Sequence, residues 1–143
     1  MYVTSAAFSF SIINTSTNKV TATVNLESSH FPLEVAITPD GKKVYFTNPI
    51  ANLVSVINTS TNSITANVPV GAHPRGVTVI PDGKKVYVTN SGSHNAPGTV
   101  SVIDTNTNEV VSMVKVGNET EGIAVDPDGK KIFVTNFSAK MSL

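Results

Sequence analysis

The sequence lacks cysteine, tryptophan and glutamine, and its 143 residues include only 4 leucines. Without cysteine the chain forms neither disulfides nor thiolate metal sites. Neither charge sign dominates, because 10 basic residues balance 10 acidic ones, and this argues against bulk nucleic acid or an anionic membrane as a partner. No apolar run approaches the roughly 18 residues of a membrane-spanning helix, so we expect no membrane insertion. Met1 stands directly before the first repeat, so we expect no signal peptide in this sequence.

The residues that are abundant favour short strands and tight turns. The chain has 21 valines and 10 isoleucines, and threonine, serine and asparagine together number 46. Branching at Cβ suits Val, Ile and Thr to a pleated surface, and Asn and Ser stabilise turns through their own side chains. The composition therefore predicts an all-β protein with many short strands.

One phrase recurs along the chain. It reads KKVYFTN at 42–48, KKVYVTN at 84–90 and KKIFVTN at 130–136, and the chain opens with the related YVTS at 2–5. The aromatic residues of the four copies, at positions 2, 45, 87 and 133, lie 43, 42 and 46 residues apart. The longest interval contains an insertion within SGSHNAPGT (91–99). We interpret the phrase as the same strand in successive structural units.

The most complete unit contains four predicted strands, at 76–80, 84–90, 99–104 and 110–116. A Pro-Asp-Gly turn (81–83) separates the first two, and a polar turn, TNTNE, separates the last two. We expect positive φ at the glycines of these turns, namely Gly41, Gly83 and Gly129. Four short antiparallel strands in about 42 residues indicate a β-propeller blade. A β-sandwich also has many short strands, but it does not require the same phrase at fixed spacing.

The units divide the chain into parts of unequal completeness. Residues 1–26 supply the last three strands of a blade, 33–70 and 75–116 are full blades, and 121–136 supply the first two strands of another. The sequence thus predicts about three and a quarter blades of four antiparallel strands, as an open arc or part of a larger ring. Because the end blades would leave apolar faces uncovered, we expect other blades of a longer chain or a second copy as partners.

The segment HPRGVTVIPDGKKVYVTN (73–90), followed by TVSVIDTNTNEVVSMVKVG (99–117), resembles the YVTN family of β-propeller repeats. Members of that family occur in archaeal surface-layer and surface-antigen proteins and in secreted or periplasmic bacterial propellers. The resemblance implies a location at the cell surface or outside the cell. It also implies a non-enzymatic scaffold or interaction module whose partners are surface proteins or glycans.

Candidate binding residues gather at one end of the predicted propeller. The loops between fourth and first strands share an end face with those between second and third strands, and His73, Arg75, Glu119 and Glu121 fall on these loops. Two further histidines, His30 and His94, fall on the same face. We predict no metal site, because His30 and His73 are not equivalent in the repeat and no HxH or HExxH occurs. We expect no cofactor, since the chain has no glycine-rich phosphate loop.

The chain also lacks the GxSxG signature of nucleophilic hydrolases, so we predict a non-enzymatic protein. One alternative is a ligand-binding or enzymatic propeller, lactonase-like or metal-dependent, with its site at the channel mouth. A second alternative is single-stranded nucleic-acid binding, which the zero net charge and the 6% aromatic content disfavour. The lysine pairs that follow each Pro-Asp-Gly turn are interpreted as solvated hairpin tips.

Four sequons bear on location. They begin at Asn14, Asn58, Asn118 and Asn136 and mark possible N-glycosylation sites. A chain this rich in asparagine, serine and threonine also forms sequons by chance, so they permit a glycosylated exterior without establishing one.

Overall fold

The structure is entirely β wherever it has regular secondary structure. The computed structural model describes residues 1–5, 9–26, 31–93 and 96–137. Within these ranges lie thirteen strands: β1 (Tyr2–Ser5), β2 (Ser9–Asn14), β3 (Lys19–Asn25), β4 (Val35–Ile37), β5 (Lys43–Asn48), β6 (Leu53–Asn58), β7 (Ser63–Pro69), β8 (Pro74–Val79), β9 (Lys85–Asn90), β10 (Thr99–Asp104), β11 (Glu109–Lys115), β12 (Thr120–Val125) and β13 (Ile132–Asn136). No helix in the described part of the chain has the length and apolar character that a membrane span requires.

The strands form four successive antiparallel sheets. The orders are β1-β2-β3, β4-β5-β6-β7, β8-β9-β10-β11 and β12-β13, and every pairing joins neighbours in sequence. We call these sheets blades 1 to 4. Two complete four-strand blades between two partial ones are an arc of a β-propeller. The predicted fold class is confirmed.

The Pro-Asp-Gly turn takes the conformation that its sequence predicts. Gly41, Gly83 and Gly129 have φ of 72°, 73° and 71°. Each glycine N–H donates to the carbonyl three residues earlier, over 2.8 to 3.0 Å. A positive φ costs a residue with a Cβ more than it costs glycine, and this explains why the turn ends on glycine. The prediction of positive φ at these glycines is confirmed.

The turn between third and fourth strands is held by its first side chain. The Oδ1 atoms of Asn14, Asn58 and Asp104 each accept the N–H two residues later, at 2.8 to 2.9 Å. The turn finishes on an asparagine of positive φ, at positions 18, 62 and 108. Asn and Asp tolerate this region better than other side chains and bond their own backbone in turns.

The core lies between blades. Phe10 of blade 1 packs with Val44, Phe46 and Ile57 of blade 2. On the other face of the same blade, Tyr45 packs in a second cluster, together with Val54, Val56, Val68, Val77, Val86, Val88 and Ile103. Successive residues of a strand point to opposite faces. Blade 2 is therefore apolar on both faces and is covered on both.

A substitution at Gly83 tests the packing between the Pro-Asp-Gly turns of neighbouring blades. A Cβ at Gly83 would lie 3.3 Å from Cδ of Pro39 in the preceding blade, whereas a Cβ at Gly41 would meet no atom within 4 Å. Both glycines have nearly the same positive φ, which strains a residue with a Cβ. We expect Gly83→Val to lower the free energy of unfolding by roughly 1–2 kcal/mol, and Gly41→Val to lower it by less. Chemical denaturation measures both, and equal losses would exclude the contact between the turns.

The buried phenol of Tyr45 should make the protein less stable at alkaline pH. Burial raises the pKa of its phenol from 10.0 to about 12, and the carboxylates of Asp104 and Asp40 add to the rise. Below the pKa of this phenol in the unfolded chain, the shift costs the folded state no stability. As pH rises toward the pKa of the phenol in the folded chain, the free energy of unfolding falls, because the unfolded chain releases the proton first. Between pH 10 and 12 the free energy of unfolding should fall by about 1–3 kcal/mol. Tyr45→Phe should remove this component of the pH dependence, and an unchanged profile in that variant would contradict it.

Candidate functional site

The first strands of the last three blades lie side by side at the inside of the arc. β8 contacts β4 on one side and β12 on the other. His73 and Glu119 directly precede β8 and β12, whereas Arg75 and Glu121, which the sequence placed on loops, lie within these strands. The starts of the first strands and the residues just before them therefore come to one end of the channel. Counting back from the turn glycines, Arg75 and Glu121 occupy the position that Leu33 holds in blade 2, and His73 and Glu119 occupy that of Phe31.

The structure brings the four predicted binding residues together. They line one cavity of about 430 Å³, which we call the mouth cavity: His73, Arg75, Glu119 and Glu121, with Ser91, Gly92 and Ser93. A second cavity of about 300 Å³ shares Arg75 and Glu121 and continues along the first strands past Glu34 and Ile123. The two spaces are thus joined at a single pair of charged side chains.

That pair is Arg75 and Glu121. Nε of Arg75 lies 3.8 Å from Oε1 of Glu121, and the two side chains are 42% and 50% exposed. This separation exceeds hydrogen-bond length, and an exposed pair of this kind contributes about 0–1 kcal/mol to stability. Nε of Arg75 is shielded from solvent and makes no hydrogen bond to the described residues. The pair is therefore held loosely, and both groups are able to exchange their contact for a ligand.

His73 and Glu119 adopt a backbone conformation that is unusual for their type. Their φ angles are 51° and 49°. Such a conformation costs on the order of 1 kcal/mol or more and tends to occur where function requires it. Hydrogen bonds maintain it at His73: the N–H donates to Oδ1 of Asn52 at 2.8 Å, and Nδ1 lies 3.0 Å from the carbonyl oxygen of Gly92. A carbonyl oxygen only accepts, so this contact is a hydrogen bond when Nδ1 carries the proton.

The backbone of the mouth is positioned by the threonine of the repeated phrase. The hydroxyl of Thr89 accepts the N–H of Gly76 at 2.8 Å and donates to the carbonyl oxygen of Glu121, in the next blade, at 2.6 Å. One blade earlier, the hydroxyl of Thr47 donates in the same way to the carbonyl oxygen of Arg75 at 2.8 Å. Sequence reasoning recognised the phrase as a strand but missed this role, although the recurrence of threonine at one position was a signal for it.

The structure does not test two further sequence predictions, which concern the histidines and the sequons. His30 and His94 lie outside the described residues, within which no group of three or more potential metal ligands occurs. The absence of joint metal binding by the histidines therefore stays a prediction. The sequon asparagines Asn14, Asn118 and Asn136 are exposed, and Asn58 is half-buried. Whether any of them is glycosylated also stays a prediction.

Thr89→Val tests the hydroxyl that joins blades 3 and 4. The substitution keeps the shape but leaves the buried N–H of Gly76 and the carbonyl of Glu121 without their partner. We expect the free energy of unfolding to fall by about 1–3 kcal/mol. Thr135→Val is the matched control, since among the described residues the exposed Thr135 hydroxyl accepts only the N–H of Gly122, at 2.8 Å, in its own blade. A loss as large in the control as at Thr89 would show that the bond between blades contributes nothing.

Comparison with known proteins places the chain among propellers. The chain aligns with hydrazine synthase of Kuenenia stuttgartiensis at 29% identity and a TM-score of 0.84, over 93% of this chain and 37% of that one. A protein of unknown function from Desulfotomaculum acetoxidans DSM 771 aligns at 20% identity and a TM-score of 0.80, over 94% and 42% of the two chains. The chain thus spans about two fifths of the length of these structures. No curated protein matches it.

The sequence model of the family described as "Lactonase, 7-bladed beta-propeller" matches residues 5–127. That range includes both complete blades, the partial first blade from Ser5 onward and the four residues of the mouth cavity. The chain therefore belongs to the lactonase family of seven-bladed β-propellers.

Proposed function

We propose that the chain is a non-enzymatic interaction module, a propeller segment at the cell surface or outside the cell that binds a glycan or similar polar ligand at its mouth. The observation that carries the proposal is the mouth cavity, in which four polar side chains from two blades converge on about 430 Å³. Sites for small molecules have volumes of about 300–1,000 Å³ and a few convergent polar groups.

The cavity offers both donors and acceptors. Glu119 and Glu121 present carboxylate oxygens, which accept hydrogen bonds, and Arg75 presents guanidinium N–H groups, which donate. The hydroxyls of Ser91 and Ser93 do both. A ligand with many hydroxyl groups also donates and accepts at each position, so it satisfies this mixture better than a purely anionic or cationic ligand does.

The location is supported by the repeated phrase itself. Its resemblance to the YVTN repeats of surface-layer proteins and secreted propellers favours a place outside the cell. The exposed sequon at Asn118 lies beside the mouth cavity, one residue before Glu119. An attached glycan there would stand at the edge of the site.

A glycan array followed by calorimetry on the full chain tests the binding role. We expect saturable binding of at least one neutral oligosaccharide, and a loss of tenfold or more in affinity with Arg75→Ala or Glu121→Gln, since hydrogen bonds to charged groups contribute about 1.5–3 kcal/mol each. Lys84→Ala is the control, because Lys84 lies at the Pro-Asp-Gly turn on the opposite face. Binding that ignores both mouth variants would remove the proposal.

Family membership favours a second candidate, hydrolysis of a lactone in the same cavity. In this reaction a carboxylate such as Glu121 takes a proton from water, whose oxygen attacks the carbonyl carbon of the ring ester. The bond from that carbon to the ring oxygen breaks, and the proton passes to the departing alkoxide. Arg75 would stabilise the negative charge on the carbonyl oxygen. Lactone turnover by the chain that falls more than a hundredfold in Glu121→Gln would replace the non-enzymatic proposal with this one.

A further inference from the structure

Another cavity lies at the end of the arc opposite the mouth, between the Pro-Asp-Gly turns of blades 2 and 3. It has a volume of about 350 Å³, and we call it the turn cavity. Residues of the turn between β10 and β11 also line it. Both blades that form it are complete, so two neighbouring blades supply its walls by themselves. The charged and amide side chains that line it are Asp40, Lys42, Lys43, Asp82, Lys84 and Asn106.

The two carboxylates of the turn cavity are engaged by their own turns. Oδ1 of Asp40 accepts the hydroxyl of Thr38 at 2.7 Å and the N–H of Lys42 at 3.1 Å. These hydrogen bonds, the one from Thr38 above all, hold the pKa of the Asp40 carboxyl below its ordinary value. Oδ1 of Asp82 accepts the N–H of Lys84 at 2.9 Å. Each carboxylate therefore uses one of its oxygens to hold its own turn.

The ammonium group of Lys43 is fixed in place by the next blade. Its Nζ donates to the carbonyl oxygen of Thr105 at 2.5 Å and lies 3.3 Å from Oδ1 of Asn108, which also accepts the hydroxyl of Tyr45 at 3.2 Å. Both acceptors are uncharged, so the positive charge of Lys43 is not neutralised. An ammonium group has three N–H donors, and these two contacts leave one of them for a ligand.

The other two lysines are held loosely on the adjacent turns. Nζ of Lys42 lies 3.8 Å from Oδ2 of Asp40, beyond hydrogen-bond length, and the two side chains are 81% and 56% exposed. An exposed pair of this kind contributes little to stability. Neither the ammonium group of Lys84 nor the side-chain amide of Asn106 makes a hydrogen bond to the described residues. The turn cavity thus presents more N–H donors than the described protein groups around it accept.

We infer that the turn cavity binds a tetrahedral oxyanion, namely the sulfate or phosphate group of a modified glycan. Three ammonium groups against two carboxylates give the cavity a net positive charge. An esterified sulfate or phosphate group has three further oxygens, one for each lysine, whereas a carboxylate has two. Lysine is a common ligand of such groups because its compact charge sits on a flexible stem. The inference concerns the end opposite the mouth and is independent of the proposed function.

The same charges recur at the next pair of turns, so one glycan is able to contact two such places. The aspartate and lysines at these positions are Asp82, Lys84, Lys85, Asp128 and Lys130. A chain of sugars that carries several oxyanions binds more tightly than one group alone, because the second contact forms at a high effective concentration. We therefore expect an oligosaccharide to bind better than the inorganic ion.

Maltohexaose in sulfated, phosphorylated and unmodified form provides matched probes. Titrated into the full chain at low salt, at least one modified sugar should bind saturably by calorimetry and shift the amide NMR signals of Gly41, Gly83 and Asn106. The modified sugar that binds more tightly identifies the group as sulfate or phosphate. The unmodified sugar should leave these signals unchanged, wherever else it binds. Failure of both modified sugars to bind, or equal shifts with the unmodified sugar, would overturn the inference.

Two lysine variants test the contribution of each blade. Lys42→Ala and Lys84→Ala should each weaken binding of the modified sugar about twofold to fivefold, and together roughly tenfold, since each removes one exposed ionic contact. Lys115→Ala is the matched control, because it removes the same charge at the opposite end of β11 from the turn that lines the cavity. It should leave the affinity unchanged. An equal loss in the control would mean that only the overall charge attracts the sugar, and the inference would be wrong.

A single-stranded oligonucleotide with the same number of phosphates separates a glycan from a nucleic acid. Each phosphodiester has only two unesterified oxygens, and no aromatic side chain among the described lining residues is present to stack on bases. We therefore expect the oligonucleotide to bind more weakly than the modified sugar. Tighter binding of the oligonucleotide, lost in the double lysine variant, would replace the glycan with a nucleic acid and refute the inference.

Discussion

Every complete blade of this protein is apolar on both faces, and each face needs a neighbour. The alternation of side chains along β5 sends Val44 and Phe46 into one cluster and Tyr45 into the other. A single blade buries neither face against itself. At about 25 cal/mol per Å², a few hundred Å² of uncovered apolar surface costs several kcal/mol, which is comparable to the whole stability of a domain. The number and order of the blades therefore decide whether the structure is stable, and the other interactions refine how neighbouring blades sit.

These further interactions lie at three places in the interface between neighbouring blades. At one end, the turn glycine of a blade contacts the turn proline of the blade before it, as Gly83 does with Pro39. At the outer rim, a lysine and a tyrosine bind the next blade's turn. At the mouth, a threonine hydroxyl bonds the next blade's first strand. All three use residues of the repeated phrase and its turn, and this explains why the phrase recurs as a block.

The mouth differs from the rest because its side chains do not repeat. The backbone positions are equivalent from blade to blade, but one of them carries Leu33, Arg75 and Glu121 in turn. Substitution there changes the chemistry of the cavity while the threonine contacts, which involve backbone atoms of the mouth residues, remain available. The side chains that line the cavity are therefore able to vary without disturbing the packing of the blades. The match to a family named for lactonases and the resemblance to surface-layer repeats are compatible with such variation.

The sequence by itself determined the elements that depend on near neighbours. Contacts within a few residues decide the strand spacing, the Pro-Asp-Gly turn and the turn that begins with Asn or Asp. The residues of these segments therefore predicted the propeller fold and the positive φ of the turn glycines. The strand order also placed His73, Arg75, Glu119 and Glu121 on one end face. Only the tertiary structure decided that these four line one cavity and that Arg75 and Glu121 stand 3.8 Å apart. Those facts depend on the angle between blades. The volumes of packed side chains that are distant in sequence determine this angle, so no local sequence pattern predicts it.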